Sequence, residues 1–300
     1  MKHWILTMAA ILLAIALLVL YQRPAKERDP WALLLTTTQP RGTKALDYSP
    51  LVAQLEEYIA AVDNAQFGIY FQDLHSGQAF GINEEHPFTA ASTIKVPLVL
   101  YLNHLVAEGK EDFNTRIRYV PERHHQGGNG VLQYDGREEF EYSLRILSNL
   151  TITISDNIAT AMLLDYLGRP NFVDYMKSLG GKTVYPTGKN VTTARDMGVY
   201  LNALLDFAKE HPHLGQRILD DMAHSIFHIG IPQFLPKDIV VAHKEGDLDG
   251  VTNDVGIVFT EHPYILAVLC MGGISYDEGF AHIGAISRLV YDYQSQLSRH

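Results

Sequence analysis

Phe88-Thr-Ala-Ala-Ser-Thr-Ile-Lys-Val-Pro-Leu98 is the stretch on which the reading of this chain turns. It joins a strand pattern to a helix pattern. Upstream, residues 67–72 and 78–82 read as short strands separated by the turn residues His75-Ser-Gly77. Downstream of Ala91 a strongly apolar run extends to about Val106 and stops near Gly109, a residue type that commonly ends helices. Val96, Leu98, Val99, Leu100 and Leu102 leave that helix almost no polar face, so it should be buried on most sides. Ser92 and Lys95 stand at its start as an S-x-x-K. Free backbone N–H groups and the dipole at a helix start favour negative charge developing at Ser92. Lys95 falls on the same helical face, within reach of Ser92. A lysine held beside a serine in a dry site can shed its proton and act as a base. The pattern alone carries little, since about one such match is expected by chance in a chain of this length. A surface lysine in a first helical turn satisfies it equally well.

Working outward, a helix pattern begins near Leu51, with Val52, Leu55, Tyr58, Ile59 and Val62 at spacings of three and four. Residues 110–215 read as helices and loops. Strand patterns return at 238–244, 254–260 and 264–271, and a last helix over about 279–297 carries Phe280, Ile283, Ile286, Leu289, Val290, Tyr293 and Leu297 on one stripe. Helix, two strands, helical insert, three strands, helix: that order predicts an α/β fold of the α+β type. Its antiparallel sheet is flanked by the terminal helices and an all-helical lobe is inserted at about 110–215. The domain spans 48–300. Residues 22–47 read as a linker, with Pro24, Pro30, Pro40 and Thr36-Thr-Thr38. Trp4 to Tyr21 holds no charge, follows Lys2 and precedes Arg23, Lys26 and Arg28. No Ala-x-Ala-like site follows it, so residues 1–21 read as an uncleaved signal-anchor, a transmembrane helix tying the protein to the membrane.

Composition narrows the partners. An apolar content of 47% is ample for a large core, and a net charge of −10 argues against nucleic acid or an anionic membrane surface. The one cysteine, Cys270, lies in an apolar run and reads as a small strand hydrophobe.

Two further motifs accompany S-x-x-K. Ser155-Asp-Asn157 precedes an apolar helix closed by Gly168, and these are also ordinary helix-capping residues. Lys244-Glu-Gly246 ends the strand Ile239-Val-Val-Ala-His243, where a lysine beside a glycine could meet an anion, although lysines at strand ends are common. In this order and setting the three elements resemble those of the class A β-lactamases and their penicillin-binding relatives, whose set is S-x-x-K, S-D-N and K-T-G. The similarity runs from about Leu51 to the C-terminal helix and takes in Asn253-Asp-Val-Gly-Ile257, Ile231-Pro232 and Leu235-Pro236.

That resemblance implies a β-lactamase/transpeptidase-like fold and a site at named positions. Ser92 is the nucleophile and Lys95 its base. Ser155 relays a proton to the leaving nitrogen, and Lys244 supplies positive charge near Ser155 and the substrate's anionic end. Asn157 binds a substrate amide, Asp156 orients its own loop, and Glu245, Gly246 and Asp247 border the substrate. Backbone N–H groups of Ser92 and Asp247 form an oxyanion hole. No cofactor and no metal are implied.

Two departures alter the expectation. The family's β-lactamases deacylate through a glutamate on a loop before the helix that here starts near Val191-Thr-Thr193, yet no glutamate occurs between Glu141 and Glu210. Between Ser155 and Val191 the carboxylates are Asp156, Asp165 and Asp174. Glu245 stands where the family has a hydroxyl that donates to a substrate carboxylate, and an ionised glutamate cannot donate. Either it points away, or the natural substrate lacks a free carboxylate there. The expectation is a D,D-peptidase-like serine hydrolase or transferase, held outside the cytoplasm at a bacterial cell membrane, acting on cell-wall peptides and acylated by β-lactams. A true β-lactamase and a non-turnover β-lactam-binding sensor are the alternatives.

Other signals carry less. His224 and His228 have helical spacing, but the glutamate of H-E-x-x-H and a third ligand are missing, so metal is set aside. His243 reads as a strand residue. Gly180-Gly-Lys-Thr183 is half a phosphate loop, and Asp247-Leu-Asp249-Gly250 only hints at a calcium loop.

Overall fold

The computed structural model describes residues 46–135 and 139–297. Helix α1 (Ser49–Ala60) leads into β1 (Ala65–Asp73) and β2 (Ala79–Ile82). Next come β3 (Phe88–Thr89), a 3₁₀ turn at Ala91–Ile94 and α2 (Lys95–Ala107). The middle holds β4 (Arg116–Arg118), α3 (Pro121–His124), β5 (Glu141–Ser143), α4 (Leu144–Thr153), α5 (Asn157–Leu167), α6 (Arg169–Ser178), β6 (Val191–Thr192), α7 (Ala194–Glu210) and α8 (Pro212–Ala223). The chain returns to β7 (Val240–Leu248), β8 (Val251–Phe259) and β9 (Tyr264–Gly272), and ends in α9 (Tyr276–Leu297).

The five long strands form one antiparallel sheet in the order β2-β1-β9-β8-β7. β8 and β9 are buried along most of their length, and β9 is the uninterrupted apolar run expected of a strand covered on both faces. One face packs Phe67, Phe71, Leu266, Val268 and Cys270 against Leu51 and Leu55 of α1 and Phe280, Ile283, Ile286 and Val290 of α9. Burying a side chain of this size is worth about 1.5–3 kcal/mol, so the two terminal helices and the sheet stabilise one another. Helix α2 is enclosed as its sequence demands, with Val96, Val99, Leu100 and Leu102 all at 0% exposure.

Two local readings change, and two weak motif signals find structural explanations. Ser92 sits in the 3₁₀ turn, and α2 proper begins at Lys95. β7 does not stop at Lys244 but runs on to Leu248, because Asp249-Gly250 makes a two-residue hairpin between Leu248 and Val251. Gly250 takes φ 68°, a conformation that suits glycine. The hint of a calcium loop is thus the tip of a hairpin. In Gly180-Gly-Lys-Thr183, the amides a phosphate would need are held by Asp196, whose carboxylate accepts from Lys182 N (3.0 Å) and Thr183 N (2.7 Å).

The expected anchor at 1–21 lies outside the described residues, as does the linker apart from Leu46 and Asp47. Among the described residues no helix is long and apolar enough to cross a membrane.

Candidate active site

The turn that carries Ser92 is clamped from three directions. Strand β3 pairs with β6, Phe88 opposite Thr192 and Thr89 opposite Val191. Asn253 of β8, wholly buried, donates from Nδ2 to Thr89 O (2.9 Å) and Ala90 O (3.2 Å) and accepts from Cys270 N (3.2 Å). Asn190 Nδ2 donates to Ala91 O (3.0 Å), and Ala90 N to Asn190 O (3.0 Å). Held this way, Ala91 takes φ 48°, a left-handed conformation that costs a residue with a Cβ about 1–2 kcal/mol. Strand β7 passes directly behind. A Cβ at Gly246 would lie 2.7 Å from Ser92 N and 2.9 Å from Thr93 N, so only glycine lets the strand meet the turn. Ser92 itself is left half-buried.

Beneath Ser92 two lysines converge on Ser155. Lys95 Nζ donates to Ser155 O (2.8 Å), Ser155 Oγ (3.0 Å) and Asn157 Oδ1 (2.9 Å). The three donors of the ammonium therefore go to the start of α5 rather than to Ser92, with which the sequence paired it. Burial, with Lys244 nearby, lowers Lys95 from 10.5 to about 7. Lys244 Nζ donates to Ser155 Oγ (3.0 Å), to Glu245 O (3.1 Å) and to the Glu245 carboxylate. Ser155 thus sits between two nitrogens at equal distance, on a backbone at φ 56°. Such strain gathers where a fold over-determines a functional position.

Asp156 faces away from these groups. Its Oδ1 caps α5 at Ala159 N (2.9 Å) and its Oδ2 accepts from Val131 N (2.7 Å) and Leu132 N (2.9 Å). It therefore ties the 127–132 loop to the helix. Asn157 adds Nδ2 to Gly127 O (2.9 Å), so both ends of its side chain are engaged.

Glu245 does not turn outward. It is 1% exposed, paired with Lys244, and its Oε2 has no hydrogen-bond partner among the described residues. Beside it His243 and Asp254 form a second buried pair, with His243 Nδ1 3.0 Å from both carboxylate oxygens. Burial opposes a charge on His243, but Asp254 outweighs it and raises the His243 pKa above the ordinary value. Asn253, Asp254 and Asn190 are positions to which a reading of the sequence assigns no role in the site. The available signal was two adjacent polar residues, Asn253-Asp254, inside an otherwise apolar strand.

Ser92, Lys95, Asn157 and Asp247 open onto a cleft of about 530 Å³. Asp247 and Asp249 are the carboxylates on its wall, and Arg169 and Tyr185 lie among the residues lining it. Burial, with Glu245 close by, pushes the Asp247 carboxyl above its ordinary pKa. Asp165 is bound instead to Arg123 and His124. Asp174 lines a different hollow with Tyr101 and His104. Another hollow, of about 280 Å³ between Ile59, Gln66, Phe67 and Phe88, contains none of the groups above. Among the described residues no group of three or more His, Cys, Asp or Glu is placed to hold a metal ion.

A serine on a strained turn, a lysine near neutrality and a second serine between two lysines suit acyl transfer. The model of a family described as the beta-lactamase enzyme family matches residues 50–294. The chain belongs to that family. Among curated relatives of this β-lactamase-family protein is the extended-spectrum β-lactamase PER-1 of Pseudomonas aeruginosa, 25% identical over 247 residues, or 73% of this chain and 79% of the relative. Among solved structures, PBP-A superposes with a TM-score of 0.79 at 28% identity, covering 86% of this chain and all of PBP-A. The β-lactamase of Sphaerobacter thermophilus gives 0.73 at 27% identity, covering 84% of this chain and 99% of that one. The antiparallel sheet with its helices is the fold of these proteins, and the family is one of serine hydrolases.

Proposed function

We propose that this serine hydrolase is D,D-peptidase-like, that it acts on cell-wall peptides, and that β-lactams acylate it durably. One observation carries the reading. Ser92 and Lys95 line one cleft, with Ser155 between Lys95 and Lys244 beside it, whereas α6 and the segment 185–190 bring no carboxylate to that cleft to activate water. Likeness to PBP-A supports it, as does an acyl-enzyme complex of a PBP-A variant with penicillin G.

The chemistry follows from the contacts. With Lys95 neutral, its Nζ accepts the Ser92 proton as Oγ bonds to the substrate carbonyl carbon. The Gly246 approach sets β7 against the Ser92 backbone, where N–H donors stabilise the oxyanion. As the C–N bond breaks, Ser155 Oγ gives its proton to the leaving nitrogen and regains one from Lys95, 3.0 Å away. Lys244 faces Ser155 from the other side and favours the electron-rich oxygen in transit. Water or an amine then takes the acyl group. A peptide's amine leaves, but the amine of an opened β-lactam stays tethered and holds the acceptor's place. The same reading puts the domain outside the cytoplasm of a bacterial cell, tethered by residues 1–21.

The test is intact mass of the protein with benzylpenicillin, followed over time. One adduct should form, vanish in Ser92→Ala, and decay about 10²–10⁴-fold more slowly than where a general base activates water. Hydrolysis of several β-lactams at many turnovers per second would favour the second reading, a β-lactamase. That reading has a specific candidate base, because Asp247 lines the cleft with a raised pKa. A stable adduct with no release of D-alanine from an N-acyl-D-alanyl-D-alanine peptide would instead identify a β-lactam sensor.

A further inference from the structure

The charge on the β7 side of the site is already spent. An ammonium has three donors, and those of Lys244 go to Ser155 Oγ, Glu245 O and the Glu245 carboxylate. Those of Lys95 go to Ser155 and Asn157. Neither lysine keeps an N–H for an incoming anion. Lys244 is wholly buried, so its pairing with Glu245 is little screened by solvent. Beyond this pair the same strand carries Asp247 on the cleft wall, and the hairpin tip adds Asp249. Among the described residues, a substrate carboxylate brought to this wall would find no free cation and up to three carboxylates. The facing wall holds Arg169.

Resting on the acyl-serine reading above, we propose that Glu245 sets substrate choice from behind the cleft. It occupies on Lys244 the place a substrate anion would take, so the site prefers acyl donors whose leaving residue is amidated or continues as a chain over those ending in a free carboxylate. Glu245 acts through Lys244 and is a positioning residue. Its carboxylate keeps the ammonium directed at Ser155 while cancelling its attraction for anions. The unpartnered Oε2 marks a group held there at a cost, since a buried acceptor without a donor is destabilising.

The experiment measures Ser92 acylation by two matched pairs: benzylpenicillin with its methyl ester, and N-acyl-D-alanyl-D-alanine with its C-terminal amide. Wild type should react with each neutral member at least as fast as with its acid. Glu245→Gln keeps an acceptor for Lys244 and removes the charge. It should raise the ratio of acid to neutral rates by about tenfold, on top of whatever common slowing the altered Lys244 contact brings to both, a selective shift that a loss of packing would not produce. Glu245→Thr, with thermal unfolding recorded, guards against a folding defect in the first variant and should shift the same ratio in the same direction. A wild-type preference for the acids, or an unchanged acid-to-neutral ratio in both variants, overturns this proposal and leaves the acyl-serine mechanism standing. No Ser92 adduct with any of the four probes overturns both.

Discussion

Along β7 the cleft wall is a strand with two buried pairs, Lys244 with Glu245 and, next to them, His243 with Asp254, and with Asp247 facing the cleft beyond them. The wall opposite, made from α5, α6 and the segment 185–190, contributes Arg169 to the cleft and no carboxylate. The strand wall is also tied down. Gly246 touches the Ser92 turn, and Asn253 on the neighbouring strand holds the carbonyls leading into it. On the function proposed above, the difference teaches that pre-organisation has gone into forming an acyl bond more than into breaking it with water. Removing one partner of a buried ion pair is costly, commonly about 3–5 kcal/mol, so the strand wall tolerates little change.

Three measurements would break or sharpen that contrast. The largest effect is expected at Gly246→Ala. Its methyl would lie 2.7 Å from Ser92 N, so the turn or the strand must shift, and displacements of about 1 Å can cost a hundredfold in rate. The second-order rate of penicillin acylation should fall by about that factor with the fold intact. An unchanged rate would mean the strand wall yields, and its rigidity would no longer separate it from the other side.

Asn253→Ala comes next. It strips donors from two carbonyls and an acceptor from Cys270 N in a dry interior, each unmet group costing about 1–3 kcal/mol before relaxation. Denaturant titration should show a loss of about 2–3 kcal/mol, with acylation slowed as Ala91 relaxes from its left-handed conformation. A stability equal to wild type would show that the clamp is not where the strand wall gains its order.

The smallest effect is a pH profile. Because Lys95 sits at about 7, the neutral amine that accepts the serine proton accumulates as pH rises through that value. Acylation should therefore increase about tenfold from pH 6 to 8 and level off above. The linked stability effect has a definite sign. Between about 7 and 10.5 the unfolded chain holds a proton that the folded lysine has released. This group's contribution to the unfolding free energy therefore rises with pH across that window. A profile flat across neutrality would remove Lys95 as the titrating base.

Much of this was legible in the sequence, and the remainder was hidden for a physical reason. The sheet and both terminal helices follow from apolar runs with the right periods, and Ser92, Lys95, Ser155 and Lys244 from motifs whose chemistry is local. Strand pairing is not local. Nothing in Lys244-Glu-Gly246 states that Gly246 will press on Ser92 N, or that Glu245 will fold back on Lys244 instead of facing solvent. The His243–Asp254 pair depends on the hairpin at Asp249-Gly250, which sets β7 against β8 with Glu245 opposite Asp254. Once that two-residue turn is recognised, the register follows and the buried pair with it.

The arrangement of β1 bears on how such a chain comes into being. Its neighbour β9 belongs to the far end of the sequence, Phe67 lying opposite Cys270. Tyr48, just before α1, reaches Gln294 of α9 at 3.0 Å, and Tyr58 meets His282 at 2.8 Å. During synthesis from the N-terminus, α1, β1 and β2 emerge first with an apolar face and an open strand edge, and they wait for partners made last. Helices α2 to α8, whose contacts are nearer in sequence, can gather in the interval. A ribosome stalled before Tyr276 would hold a nascent chain with its helical half assembled and the sheet side of its core still bare.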